Sequence, residues 1–246
     1  MDKIAVISDI HGNMPALEAV LNDIRQRGIE QIFCLGDLAG KGPLSAEAVD
    51  TIREVCDVVV LGNWDLMLAG EVEHPAMIWW KQQLGADRCQ YLGNLPYCHD
   101  LLMSGQPVRF YHASQESVFF RVGPYHERDI LAAMFTNSEA TGFANPEPTI
   151  SVYGDIHAAY LLPVKRRNQL INVGSVGNPL DQTLATYVVL SGNIGATKQQ
   201  DISVEFVRVA YDVERTIQQA IDLEMPETEP LARELRTGVY RGAKEE

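Results

Sequence analysis

In Lys3-Ile4-Ala5-Val6-Ile7-Ser8-Asp9-Ile10-His11-Gly12-Asn13 an apolar run stops abruptly on a carboxylate and an imidazole. A continuous apolar stretch of this length reads as a buried strand, Ile4 to Ser8. Asp9 and His11 stand two residues apart just past its end, and in extended backbone they would project to the same side and serve one ion. Met14 to Arg27 follows with Leu17, Val20, Leu21 and Ile24 at helical spacing, Asn13 as its cap and Pro15 in its first turn. The unit then repeats. Gln31 to Leu35 runs into Gly36-Asp37, a helix over Ala46 to Val55 follows with Ser45 as its cap, and Val58 to Leu61 runs into Gly62-Asn63-Trp64-Asp65. Strands alternating with helices of this length predict right-handed βαβ units and a parallel core.

Two later apolar runs end the same way: Val108 to Tyr111 leads to His112, and Ile150 to Tyr153 leads to Gly154-Asp155-Ile156-His157. Parallel strands place their carboxyl ends on one edge of a sheet, where ligands of open α/β folds collect. The five blocks would bring carboxylates, three imidazoles and one amide oxygen into a single crevice, and a metal cluster is what readily neutralises so many acids. Taken singly each block is weak: Gly36-Asp37 is as often a turn, Gly62-Asn63 closes a strand, and a lone His112 is more often a core residue. Their conjunction at strand ends carries the argument, and the donor types suit a pair of iron, manganese or zinc ions.

The rest of the chain sets bounds. Its 246 residues are 46% hydrophobic and 22% charged, ample for a core, and a single domain over residues 1–246 is expected. No apolar run approaches the roughly 18 to 20 residues of a membrane helix. Asp2 and Lys3 lead straight into a strand, so no signal peptide is read there. Cys34, Cys56, Cys89 and Cys98 show no CxxC spacing and read as reduced thiols, which with the absent signal indicates a cytoplasmic protein. A net charge of −13 disfavours long nucleic acid, and it repels small phosphorylated substrates unless bound cations reverse the sign locally. Leu66 to Gly93 reads as mainly helical, and Ser104 to Pro107 as a hairpin turn. The irregular stretch 113–148 reads as a loop or cap with one helix near Ile130 to Phe135. Strands resume at Thr149, Ala159, Leu170, Thr186 and Ile202, and a helical, partly solvated tail is expected over about 212–246.

The order D-x-H, GD, GN-x-D, H and G-x-x-H resembles the calcineurin-like metallophosphoesterase superfamily. Ser8 to Asn13 with Leu17-Glu18, Leu35 to Leu38 running to Gly42-Pro43, and Asn172 to Pro179 resemble its small bacterial phosphodiesterase branch, with dinucleoside polyphosphate hydrolases among similar proteins. The likeness spans residues 1 to about 212. It implies an α/β fold, a four-layer α/β/β/α sandwich of two mixed β-sheets packed face to face with helices outside. Carried over block by block, it implies that Asp9, His11 and His157 hold one metal, that Asp37 bridges two, and that Asn63, His112 and Asp155 hold the second. It implies two divalent cations, manganese first, with iron, zinc or nickel as alternatives. Their joint action on a phosphoryl group and on the water between them makes a metal-dependent phosphoric ester hydrolase, with Asp37 and Asn63 in catalytic roles. The substrate would be a small phosphorylated molecule, nucleotides included, and no membrane is implied.

Two positions depart from the pattern. Asp155 stands where the family usually has the first histidine of G-H-x-H; a carboxylate still ligates and favours Mn²⁺ or Mg²⁺, the alternative being that it turns away. Trp64 stands where a histidine would protonate the leaving group, and an indole cannot do so usefully. Leaving groups that need little protonation are then expected, phosphoanhydrides and aryl esters rather than alkyl phosphates. The indole itself either stacks on a nucleobase or packs at the crevice rim. His126 is a candidate replacement acid, Asn13 and Lys41 are candidate phosphate contacts, and Arg121 is a weaker one. The run around Ser175 is expected to shape a tight turn beneath the metals. Rival readings are a binding scaffold that kept the fold without catalysis and a protein phosphatase, the latter opposed by the missing histidine.

Overall fold

The computed structural model describes residues 1–243; the end of the expected tail, 244–246, lies outside the described residues. The first sheet holds β1 (Asp2–Ile7), β2 (Gln31–Cys34), β3 (Val58–Val59), β9 (Ala185–Gly192) and β10 (Ser203–Val209) in the order β10-β9-β1-β2-β3. The second holds β4 (Cys98–Met103), β5 (Gln106–Tyr111), β6 (Ile150–Tyr153), β7 (Ala159–Lys165) and β8 (Asn168–Val173) in the order β4-β5-β6-β8-β7. Both are mixed. β1, β2 and β3 run parallel, as do β5, β6 and β8, and the remaining neighbours are antiparallel.

Alternation along each strand builds the layers. Ile4 and Val6 of β1 face the second sheet together with Val188 and Leu190 of β9, meeting Val108, Phe110, Ile150, Val152, Ile171 and Val173 in the core between the sheets. Ala5, Ile7, Tyr187 and Val189 point the other way, onto the helices. A two-residue period with both faces apolar is what a sheet buried on both sides requires.

The helices on that outer face are α1 (Met14–Gln26), α2 (Ser45–Val55), α4 (Pro75–Gly93, broken at Gly85), α6 (Val213–Asp222) and α7 (Thr228–Thr237). The short α3 (Asn63–Ala69) begins on a site residue, and α5 (Arg128–Ala133) lies in the loop-rich stretch. Asn13 caps α1 as expected, its Oδ1 accepting from Ala16 N at 3.2 Å. Ser45 does not cap α2: it is the first helical residue, and its Oγ instead accepts from Gly40 N at 3.0 Å.

The fourth layer is thin. Val122, Leu131, Met134 and Phe135, from the stretch expected to be a loop or cap, cover Tyr111, Tyr153 and Leu170 on the outer face of the second sheet. The stretch is therefore a packed cover with one six-residue helix. Its underside also holds Arg109, wholly buried and paired with Asp100 at 2.7 and 3.0 Å. The cysteines are free thiols, as read from the sequence. Among the described residues no helix is long and apolar enough to cross a membrane.

Candidate metal centre

The carboxyl ends of β1, β2, β5 and β6 converge, and the loops leaving them are unusually bent. Asp9, His11, Asp37, Asp155 and His157 all have φ between 48° and 61°, the left-handed region that L-residues other than glycine visit at a cost of about 1 kcal/mol or more. The extended backbone assumed for Asp9 and His11 is thus absent. Both still face one point because each turn is pinned from outside: Asp9 N donates to Gly36 O and His11 N to Asp37 O, each at 3.0 Å.

Asp65 does similar work from α3. Its carboxylate accepts from Asp37 N at 2.7 Å, Leu38 N at 2.9 Å and Gly62 N at 3.0 Å, locking the second and third blocks together. Burial and the charge of Asp37 push this carboxyl up to about 7 against the pull of those amides. Its place in the fourth residue of Gly62-Asn63-Trp64-Asp65 was the only sequence signal, and no role followed from that alone.

The run around Ser175 braces the floor. Ser175 Oγ donates to Asp9 O at 2.8 Å, Gly177 N donates to the same oxygen at 2.9 Å, and a Cβ on Gly177 would fall 1.7 Å from Ile10 O. Only glycine fits there.

Inside this frame the three histidines share one arrangement. Nδ1–H of His112 donates to Leu35 O at 2.7 Å, that of His11 to Ala39 O at 3.3 Å, and that of His157 to Asn178 O at 2.5 Å. A carbonyl only accepts, so each ring turns Nε2 inward, where it presents a lone pair whenever the ring is neutral. His11 Nε2 lies 3.3 Å from His157 Nε2 and 3.6 Å from Asp37 Oδ2. His157 Nε2 lies 3.2 Å from Asp9 Oδ1, a buried oxygen without a hydrogen-bond partner. His112 Nε2 lies 3.0 Å from Asn63 Oδ1, 3.5 Å from Asp37 Oδ1 and 3.8 Å from Asp155 Oδ1. Lone pairs facing lone pairs and carboxylates repel unless a proton or a metal ion sits among them. Burial pulls the His112 imidazolium down, yet Asp37, with Asp9 and Asp155, outweighs it and pushes the group up to about 10. Burial, Lys41 and His157 hold His11 well below its usual range.

Two sets of donors fit metal ions: Asp9, His11 and His157, and Asp9, Asp37 and His112, each with its ligand atoms within 4.8 Å of one another. Asn63 joins the second set by distance. Asp155 joins less freely, because Arg121 holds its carboxylate through Nε at 2.9 Å and Nη2 at 3.0 Å.

The expected substrate contacts separate. Lys41 stays at the site, its Nζ 3.5 Å from His157 Nε2 and donating to Asn178 Oδ1 at 3.3 Å. Asn13 does not: its Nδ2 donates to Gly177 O at 2.8 Å, and its Oδ1 also accepts from Thr216 Oγ1 at 2.8 Å, so it is a buried structural pin. His126 is not at the site either; its Nδ1 accepts from Gly123 N at 3.0 Å in a local turn and its ring stacks on Tyr125. Trp64 packs edge-on against His11 and Trp80 while Lys41 Nζ sits 5.7 Å from its ring centre. Beyond these residues opens a cleft of about 310 Å³, lined by Lys41, Trp64, Arg121 and Leu180 and, unforeseen from sequence, by Tyr240 and Arg241.

Known proteins are similar to this chain in sequence or in fold. The Calcineurin-like phosphoesterase superfamily domain matches residues 2–193. An uncharacterized protein of Methanocaldococcus jannaschii is 32% identical over 238 residues, covering 91% of this chain and 94% of its own. The symmetrical bis(5'-nucleosyl)-tetraphosphatase of Psychromonas ingrahamii is 28% identical over 144 residues, covering 56% of this chain and 48% of its own. A crystal structure of a metallophosphoesterase from Sphaerobacter thermophilus superposes with a TM-score of 0.72 at 27% identity, covering 97% of this chain and 99% of that one.

Proposed function

The chain belongs to the calcineurin-like phosphoesterase superfamily and is a metal-dependent phosphoester hydrolase, and from that premise we propose that it uses two divalent ions to cleave phosphodiester or phosphoanhydride bonds of small substrates. The observation that carries this reading is the set of three inward Nε2 atoms around Asp9, Asp37 and Asn63, an array that cations, whether protons or metal ions, neutralise. Asp9, His11 and His157 would hold one ion, and Asn63 and His112 the other, with Asp155 as its weakest donor. Asp37 would bridge: its Oδ2 faces His11 and its Oδ1 faces His112. When bound, the ions supply Lewis acidity to the phosphoryl oxygens and lower the pKa of water. Imidazole, carboxylate and amide donors together suit manganese, iron or zinc.

The chain's own residues do the rest. Lys41 stands beside His157 and offers its ammonium to a phosphate oxygen. Arg121, which lines the cleft, spends Nε and Nη2 on Asp155, and its Nη1, with no protein partner among the described residues, would serve as a second donor. No imidazole outside the ligand set lines the cleft among the described residues, and Trp64 cannot protonate a departing alkoxide. The reading therefore favours leaving groups that are stable as anions, and a dinucleoside polyphosphate, the substrate in the Psychromonas relative's name, is such a molecule.

Metal-stripped protein, given Mn²⁺ in steps with an aryl phosphodiester and diadenosine tetraphosphate side by side, tests this. Turnover that depends on Mn²⁺ and favours the dinucleotide is expected. Folded protein that binds two ions and turns over neither substrate would instead be a binding scaffold.

A further inference from the structure

The match to the superfamily domain ends at residue 193, yet the cleft is closed by residues far beyond it. The chain leaves α7 through Gly238 in left-handed conformation, where a Cβ would press within 2.9 Å of the Gln182 backbone. Three residues later Arg241 ties the segment back onto the helix. Its backbone N and Nε donate to Glu234 Oε1 at 3.0 and 2.8 Å, Nη2 donates to Glu234 Oε2 at 2.8 Å, and Nη1 donates to Glu227 at 2.8 Å.

The anchor reaches the candidate ligands. Glu234 is 1% exposed and accepts from Asn178 Nδ2 at 3.2 Å, and Asn178 in turn fixes His157 through its carbonyl and Lys41 through its side chain. Two carboxylates neutralise Arg241, so it is a fastening and not an anion site. What the fastening presents is Tyr240. This large aromatic side chain is left 52% exposed on the wall of the same cleft that Trp64 lines.

We propose that the segment after α7 builds, with Trp64, a subsite for a flat aromatic group carried by the phosphorylated substrate, with Tyr240 as its outer wall. This rests on the phosphoesterase reading above and narrows its substrate class to aryl or nucleobase-bearing phosphates. A volume of about 310 Å³ is near the lower end of small-molecule pockets, enough for one phosphate-bearing arm with its ring. Stacking on aromatic side chains tolerates any base, so the class is set by the π face.

The test compares adenosine monophosphate with inorganic phosphate by calorimetry on Mn²⁺-loaded protein, alongside turnover of diadenosine tetraphosphate and tripolyphosphate. Wild type is expected to bind the nucleotide about tenfold tighter than phosphate, with the advantage largely lost in Tyr240→Ala and kept in Tyr240→Phe. Tyr240→Leu, which keeps bulk without a π face, should lose it too, and serves if the alanine variant folds poorly. Equal binding of the two ligands by wild type, or an advantage that survives Tyr240→Ala and Tyr240→Leu, overturns the subsite. Turnover without a ring advantage removes the subsite and leaves the function. A ring advantage without any turnover leaves the subsite and removes the function.

Discussion

The two halves of the candidate centre both draw on imidazoles and carboxylates, the second adding the Asn63 amide, and they differ in how free those carboxylates are. Around His11 and His157, Asp9 Oδ1 is buried and unpartnered, and both imidazoles are fixed through Nδ1. Around His112 the fourth donor, Asp155, is already bonded twice by Arg121, whose side chain is 53% exposed. A metal entering the first half meets Asp9 Oδ1 with no hydrogen bond of its own, and a carboxylate that no guanidinium holds, although Lys41 Nζ lies 3.5 Å from His157 Nε2. One entering the second must share Asp155 with a guanidinium or do without it. The half that departs from the family pattern is thus the half in which protein charge already stands in for part of the metal's role, and we expect its ion to be held less tightly.

That contrast can be broken or sharpened by substitution. Asp37→Asn touches both halves at once and should lower kcat by about 10³-fold or more, because it removes the charge that faces both His11 and His112. Activity near wild type in that variant would remove the bridging role. Asp155→Ala should weaken only the second ion, by about 10- to 100-fold in a stepwise Mn²⁺ titration, with the first step unmoved. Equal loss at both steps would erase the distinction between the halves. Arg121→Ala should act in the opposite direction, tightening the second ion by about fivefold as Asp155 is released, a modest effect because the guanidinium is solvent-screened.

The smallest effect concerns the first half and its support. Burial opposes the Glu234 carboxylate, but its bonds to Arg241 prevail and hold it below the usual range. A carboxyl depressed in the folded state stabilises above its unfolded pKa, near 4.3, and loses that contribution as pH falls through the folded value. Glu234→Gln should lower Tm at pH 7 by about 5 °C, with the gap to wild type closing below about pH 4. A gap that is constant with pH would mean the ion pair is not its source. The same variant should loosen the Asn178 support of His157, read as a small drop in the first Mn²⁺ step.

How far the sequence reached varies residue by residue. The βαβ beginning and the gathering of all five blocks were legible because strand runs and turn residues are local signals whose consequences are fixed by chain geometry, whereas the two mixed sheets were implied by the family resemblance. Asn13 shows the limit: the same residue reads as a helix cap and as a phosphate contact, and only its four filled hydrogen-bonding positions remove the second role. Asp65 and Arg121 show it too. Each acts on a partner 27 or more residues away, and sequence spacing carries no information about such pairings. The acidic tail read as helical and partly solvated, with no sign in a charge run of which glutamate is inside.

What the chain determined by itself is the donor set and its place at strand ends, because burial pattern and strand polarity follow from the order of side chains. The tertiary structure alone decided which oxygens remain unpartnered, that Arg121 occupies Asp155, and that Tyr240 returns to the cleft. Those outcomes depend on angles and distances between segments far apart in sequence, and they are settled only when the two sheets and the C-terminal helices pack against one another.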